Sequence, residues 1–154
     1  MPYWQLLNLA MATILNPRFN SKDRQLVMAF LDGHFNAHFE PVGNYRKLFI
    51  NKDTGLVALV FGSVGNWHGL GDGFMKVVSA LSKVQDEGRI ILADKKNDRI
   101  DVFGGPLNIF VNEKDRLLRN QDGDYQFHHE RIGNKIILKE DSGLELRLLG
   151  TITL

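Results

Sequence analysis

Five glycines fall within twelve residues in the run Gly62-Ser-Val-Gly-Asn-Trp-His-Gly-Leu-Gly-Asp-Gly73, and the residues between them are those that do chemistry. Glycine crowding lets backbone N–H groups converge. Where such a run leads into a helix, the free N–H groups of the first turn and the helix dipole add partial positive charge, so a phosphate or carboxylate can be held there. Trp67 would supply a stacking face and His68 a titratable donor, and with Asn66, Gly69, Gly71 and Asp72 they form the candidate contact site for a ligand or partner.

Spacing narrows this possibility. The run matches neither the dinucleotide fingerprint G-x-G-x-x-G nor the P-loop, whose Lys must be followed by Ser or Thr; Lys76 lacks that neighbour. Asp94 ends the next strand-like run, where a ribose-binding acid would stand, yet the strands around it read as antiparallel, not doubly wound. Ser63, His68 and Asp72 are the residue types of a hydrolytic triad, but Phe61 occupies the first glycine position of the G-x-S-x-G nucleophile elbow. Asp72 is also placed to cap the helix that follows, taking the amides an anion would use. The run is thus expected to be an adaptable connection that needs positive φ angles and offers a binding edge. No catalytic residue, metal ligand or cofactor is assigned.

His34 and His38 keep one side of the chain at a four-residue step in helix or strand alike, and Glu40 would join them on a strand. A zinc site would need a third ligand from His68, His128, His129 or Glu130. Their alternation with Phe35, Ala37 and Phe39 is equally that of any solvent-facing strand surface. His128 and His129, as strand neighbours, leave opposite faces and cannot chelate one ion together. Asn120-Gln-Asp-Gly-Asp124 lacks the spacing and closing Glu of a calcium loop, and Tyr45-Arg46-Lys47 is too short for a nucleic-acid stripe.

The elements that must position these groups follow from periodicity. A helix is expected over Tyr3 to Leu15, with Trp4, Leu7, Met11 and Ile14 at helical steps before Asn16-Pro17 stops it. Its other faces are apolar too, which marks it for burial or for a partner. A second helix, capped by Asn20 or Ser21, carries the stripe Leu26, Val27, Phe30 and Leu31 and ends at Gly33. A third runs from Asp72 through Phe74, Val77, Val78, Leu81 and Val84 to Gly88. Strands are predicted over 34–40, 45–50, 56–61, 89–93, 99–103, 107–111, 124–130, 135–139 and 144–149, joined by turn clusters. The expectation is a single α+β domain over residues 1–154, with two N-terminal helices and one central helix on one face of a curled, mainly antiparallel sheet.

Composition sets outer limits. Nineteen Lys and Arg against eighteen Asp and Glu give a formal charge of +1, which disfavours nucleic acid as a partner. The absence of cysteine excludes disulfides, thiolate metal sites and cysteine nucleophiles, and fits a reducing compartment, so a cytoplasmic location is expected. The stretch Leu6 to Leu15 is too short and polar to span a bilayer and lacks the flanks of a signal peptide, so no membrane is expected. Two functions stay open. One is a binding protein that self-associates through Trp4, Leu7, Met11 and Ile14 or through the apolar C-terminal strand Leu148 to Leu154. The other is a small-molecule-binding protein or enzyme with a pocket between helix and sheet that uses Trp67 and His68.

Overall fold

The computed structural model describes residues 2–5, 18–84, 87–140 and 143–154. The helix expected over Tyr3 to Leu15 therefore lies largely outside the described residues. The described elements are helices α1 (Ser21–Phe35), α2 (Asp72–Val84) and α3 (Leu107–Asn112), a 3-10 turn Lys114–Arg116, and ten strands. The strands are β1 (Glu40–Pro41), β2 (Leu48–Ile50), β3 (Val57–Ser63), β4 (Trp67–Leu70), β5 (Arg89–Lys95), β6 (Arg99–Pro106), β7 (Leu118–Arg119), β8 (Tyr125–Ile132), β9 (Lys135–Leu138) and β10 (Glu145–Thr153).

They form one sheet in the order β1-β2-β3-β5-β6-β10-β9-β8-β4, with β7 also paired to β8. All pairings but one are antiparallel. The exception is β3 with β5, which run parallel from Ala58↔Arg89 to Ser63↔Asp94, so the sheet is mainly antiparallel, as expected, with one parallel pair. Parallel neighbours need a crossover connection, and here β4 and α2 supply it.

The sheet bends strongly without closing. Phe61 on β3 and Phe127 on β8 meet edge-to-face at 5.2 Å between ring centroids, although five strand steps separate them. Laid flat, five steps would span about 24 Å. The sheet is open, with β1 and β4 as its two ends, and does not curl closed.

The inner face of the bend encloses Phe61, Met75, Val78, Phe103, Phe110, Phe127 and Leu146, covered by α2 and α3. The outer face carries Ala58, Val60, Ile91, Ala93, Ile100 and Val102, covered by Val27 and Leu31 of α1. Helices thus cover both faces, against the one-face expectation. The cause is legible in β3 and β5, whose Val-Ala-Leu-Val-Phe and Ile-Ile-Leu-Ala runs are apolar at every position and must be buried on both sides.

Local chemistry fixes the other departures. α1 starts with a capping box, Asn20 Oδ1 accepting from Asp23 N–H and Asp23 Oδ2 from Asn20 N–H, each at 2.9 Å. It runs past Gly33 to Phe35 because Asn36, at φ 50° and ψ 47°, takes the left-handed cap position. Residues 34–40 are consequently not a strand beyond the short β1. The predicted strand 107–111 is the helix α3, whose Leu107, Phe110 and Val111 are buried at three- and four-residue steps. Among the described residues no helix is long and apolar enough to cross a membrane.

Candidate functional site

The glycine-rich run is not an open loop. After β3 the chain turns at residues 64–66, where Ser63 Oγ accepts from Gly65 N–H at 2.8 Å, and then forms β4. β4 pairs with β8 in the register Trp67↔His128, His68↔Phe127, Gly69↔Gln126 and Leu70↔Tyr125. Strand alternation separates the two aromatic candidates. Trp67 is about half exposed (48%) and meets His128 edge-on at 4.3 Å, whereas His68 faces the core at 5% exposure. They cannot line one pocket together.

Positive φ angles are not the reason for the glycines either: none of Gly62, Gly65, Gly69, Gly71 and Gly73 has one. Gly62 is required by close approach, since a Cβ there would collide with the Phe19 ring. At Gly69 and Gly71 an added Cβ would meet only ordinary contacts, Tyr125 O at 3.6 Å and Asp124 Oδ1 at 3.7 Å.

His68 spends its chemistry on a partner the sequence did not reveal. Its Nε2 lies 2.7 Å from His129 Nδ1, one ring nitrogen donating and the other accepting, and the rings stack at 5.0 Å between centroids. Burial, with the nearby charges of His129, Lys47 and His128, pushes His68 down to about 3, and burial lowers His129 as well. Both are neutral in the fold. The pair joins β4 to β8 beneath Phe61 and Phe127, so it is a satisfied core contact. His128 turns to the other face and bonds Glu140 Oε1 through Nδ1 at 3.0 Å.

The triad residue types do not converge. Ser63 bonds within its turn, His68 bonds His129, and Asp72 accepts from Arg119 Nη2 at 3.0 Å and pairs with Lys76 at 3.4 Å. Asp72 is the first residue of α2, and its own N–H points to Asp124 Oδ1 at 3.4 Å, so Asp124 meets the helix start instead. Asn66 contributes its carbonyl, accepting from His129 N–H at 2.9 Å. The histidines considered for metal are likewise apart. His34 stacks on Phe30 within α1, His38 Nδ1 lies 2.8 Å from Asp32 Oδ2, and Glu40 pairs with Lys52. Among the described residues no group of three His, Asp or Glu is placed to hold a metal ion.

What the run does border is a cleft of about 490 Å³. Gly69, Gly71 and Phe74 form one wall, the strap Asn44–Lys47 before β2 the second, and Asn120, Asp124, Tyr125 and Gln126 the third. Tyr45 and Phe74 meet edge-to-face at 4.9 Å, giving the cleft an aromatic rim. At its base Lys47 donates from Nζ to the Gly69 carbonyl at 2.9 Å and lies 5.2 Å from the centroid of the Phe61 ring. Burial, aided by the charge of Arg24, holds the Lys47 ammonium below its usual value. Of the candidate residues from the sequence, Gly69 and Gly71 line this cleft, while Asn66, Trp67, His68 and Asp72 do not.

The surfaces considered for self-association divide in the same way. Trp4 is exposed, and Leu7, Met11 and Ile14 lie outside the described residues. The C-terminal strand pairs with β6 from Arg147 to Thr153, and its Leu148, Leu149 and Ile152 pack against the two cores, so those side chains serve the fold. Comparison with family models, curated proteins and solved structures returns no match to this chain.

Proposed function

We propose that this chain is a small-molecule-binding protein whose ligand occupies the cleft between the Asn44–Lys47 strap, the Gly69–Gly71 segment and the Asn120–Gln126 hairpin. One observation carries the proposal: the strap, the Gly69–Gly71 segment and the hairpin enclose a concave, aromatic-rimmed space of about 490 Å³ lined by a half-buried lysine. The volume is of the order that small ligands occupy, and a few polar groups on apolar walls are the usual composition of such sites.

The test is a thermal-shift screen of small metabolites with Gly69→Leu as the control. A ligand at 100 times its Kd should stabilise the wild type by about 2.7 kcal/mol and leave the occluded variant unmoved. Hits that stabilise both proteins equally would place binding elsewhere and end the proposal.

Self-association is the second reading, favoured by the exposure of Tyr3 (80%) and Trp4 (61%) at the start of the chain. Sedimentation at high concentration decides it: a strict monomer, with Trp4→Ala unchanged, removes it.

A further inference from the structure

The edge of the cleft formed by the strap gathers positive charge and leaves it uncompensated. Arg46 and Lys47 line the cleft, and Arg24 reaches from α1 to donate Nη1 to the Arg46 carbonyl at 3.1 Å. Arg24 also lies 5.7 Å from the centroid of the Phe19 ring. Thus the bonds made by Arg24 and Lys47 go to carbonyls and ring faces, which solvate a cation without neutralising it. Among the described residues, none of the ion pairs involves Arg24, Arg46 or Lys47.

Asp72 is held by Arg119 and Lys76, and Asp124, in the third wall of the cleft, accepts from the Asp72 N–H at 3.4 Å at the start of α2. Burial and Arg46 both depress Arg24, and burial and Arg24 both depress Lys47, as expected of cations crowded together without a counter-charge. Half-buried charges are normally paired, so Lys47, half-buried in the lining without a counter-charge, with the exposed Arg46 beside it and Arg24 bonded to the Arg46 carbonyl, points to a partner supplied from outside. The rest of the lining is Asn44 and Tyr45 of the strap itself, Phe74 and Tyr125 from the other two walls, and Asn120, Asp124 and Gln126 as polar groups of the third.

We infer that the cleft takes a small organic anion, a phosphate or carboxylate borne on a flat ring, with its anionic group against Lys47 and Arg46 and its ring against Tyr45 and Phe74, an assignment that rests on the cleft being a ligand site. A polymer such as nucleic acid is a different expectation, since two cations lining a concave site on a chain of formal charge +1 make no extended phosphate track.

Titration calorimetry at low salt on the full chain tests this with four probes: phenyl phosphate, benzoate, benzyl alcohol and inorganic phosphate. The expected result is that phenyl phosphate or benzoate binds at least tenfold more tightly than benzyl alcohol. Lys47→Met should lower that anion's affinity to the level of benzyl alcohol, and Gly69→Leu should abolish binding of every probe. Phenyl phosphate ahead of benzoate assigns a phosphate, and the reverse a carboxylate. Arg46→Gln serves as the second charge variant, with the urea midpoint of each protein showing that it folds. If benzyl alcohol binds as well as the anions and Gly69→Leu blocks all of them, the cleft stands and the charge preference is overturned. If no probe binds, or binding survives Gly69→Leu, the cleft itself falls.

Discussion

Two groups of charged and polar side chains in this protein are finished differently. At the carboxyl ends of β3 and β5, His68 and His129 satisfy each other, while buried Asp101 receives Arg131 at 2.7 Å, Thr151 at 2.8 Å and Arg99 at 3.2 Å. Burial works against that carboxylate, but these hydrogen bonds and the charge of Arg131 hold it below the usual range. Asp94, also buried, adds Lys96 at 3.2 Å. At the cleft, Arg24, Arg46 and Lys47 have no such counter-charges. A polar group whose partners are all internal belongs to the stability of the fold, whereas one desolvated without a counter-charge costs stability and is kept for something that binds. The glycine-rich run touches both regions: His68 enters the first, and Gly69 and Gly71 border the second.

The contrast can be broken most forcefully at Asp101. Asp101→Ala removes the closest acceptor of Arg131 and the partner of Thr151, and should destabilise the protein by about 3 kcal/mol in urea denaturation. A loss under about 1 kcal/mol would mean that this network is not what holds β6, β8 and β10 in place.

Acid attacks the same region through the histidines. His68 titrates near 3 in the fold against an ordinary value of 6.5, so the unfolded chain binds the proton first. Stability is therefore complete above about pH 6.5 and falls at roughly 1.4 kcal/mol per pH unit as pH drops toward 3. At pH 5 the loss should be roughly 2 kcal/mol, and His129, shifted in the same direction, adds to it. His68→Phe should flatten this slope; an unchanged slope would assign the acid sensitivity to other groups.

The smallest effect has the opposite sign. Lys47→Met gives up the bond to the Gly69 carbonyl but removes a desolvated cation, so without ligand the protein should be as stable as the wild type or up to about 1 kcal/mol more stable. Destabilisation by 2 kcal/mol or more would make Lys47 a structural residue. In the same vein, anion affinity should fall as pH rises through the lowered titration range of Lys47, because only the protonated amine carries the charge.

Much of the framework was legible in the sequence, because α1, α2 and most strands carry unbroken periodicity and clear turn residues. Three features were not. The Leu107–Val111 run is too short and apolar for periodicity to tell strand from helix. The end of α1 moved because an asparagine can take the left-handed position that Gly33 seemed to announce. The parallel β3–β5 pair was hidden because pairing partners are long-range, although their continuous apolar runs already required two covered faces.

Of the candidate site, the sequence brought out the glycine-rich segment but not its geometry: the positive φ angles expected there are absent, and Gly69 and Gly71 border the cleft with ordinary backbone. Lys47 was passed over because a three-residue basic stretch is no nucleic-acid signal; its burial beside Phe61 is a tertiary fact. His129 was discounted by its neighbour His128, though the alternation that separates the two is what directs His129 to His68.

The most direct test of the central claim is the titration of the Lys47 ammonium itself, followed by NMR on lysine-labelled protein with Lys47→Arg to assign the resonance. Without ligand its pKa should lie below the ordinary 10.5, and saturation with whichever ring-bearing anion binds more tightly should raise it as the missing counter-charge arrives. An ordinary value in the free protein, or one that the bound anion leaves unmoved, would contradict the account.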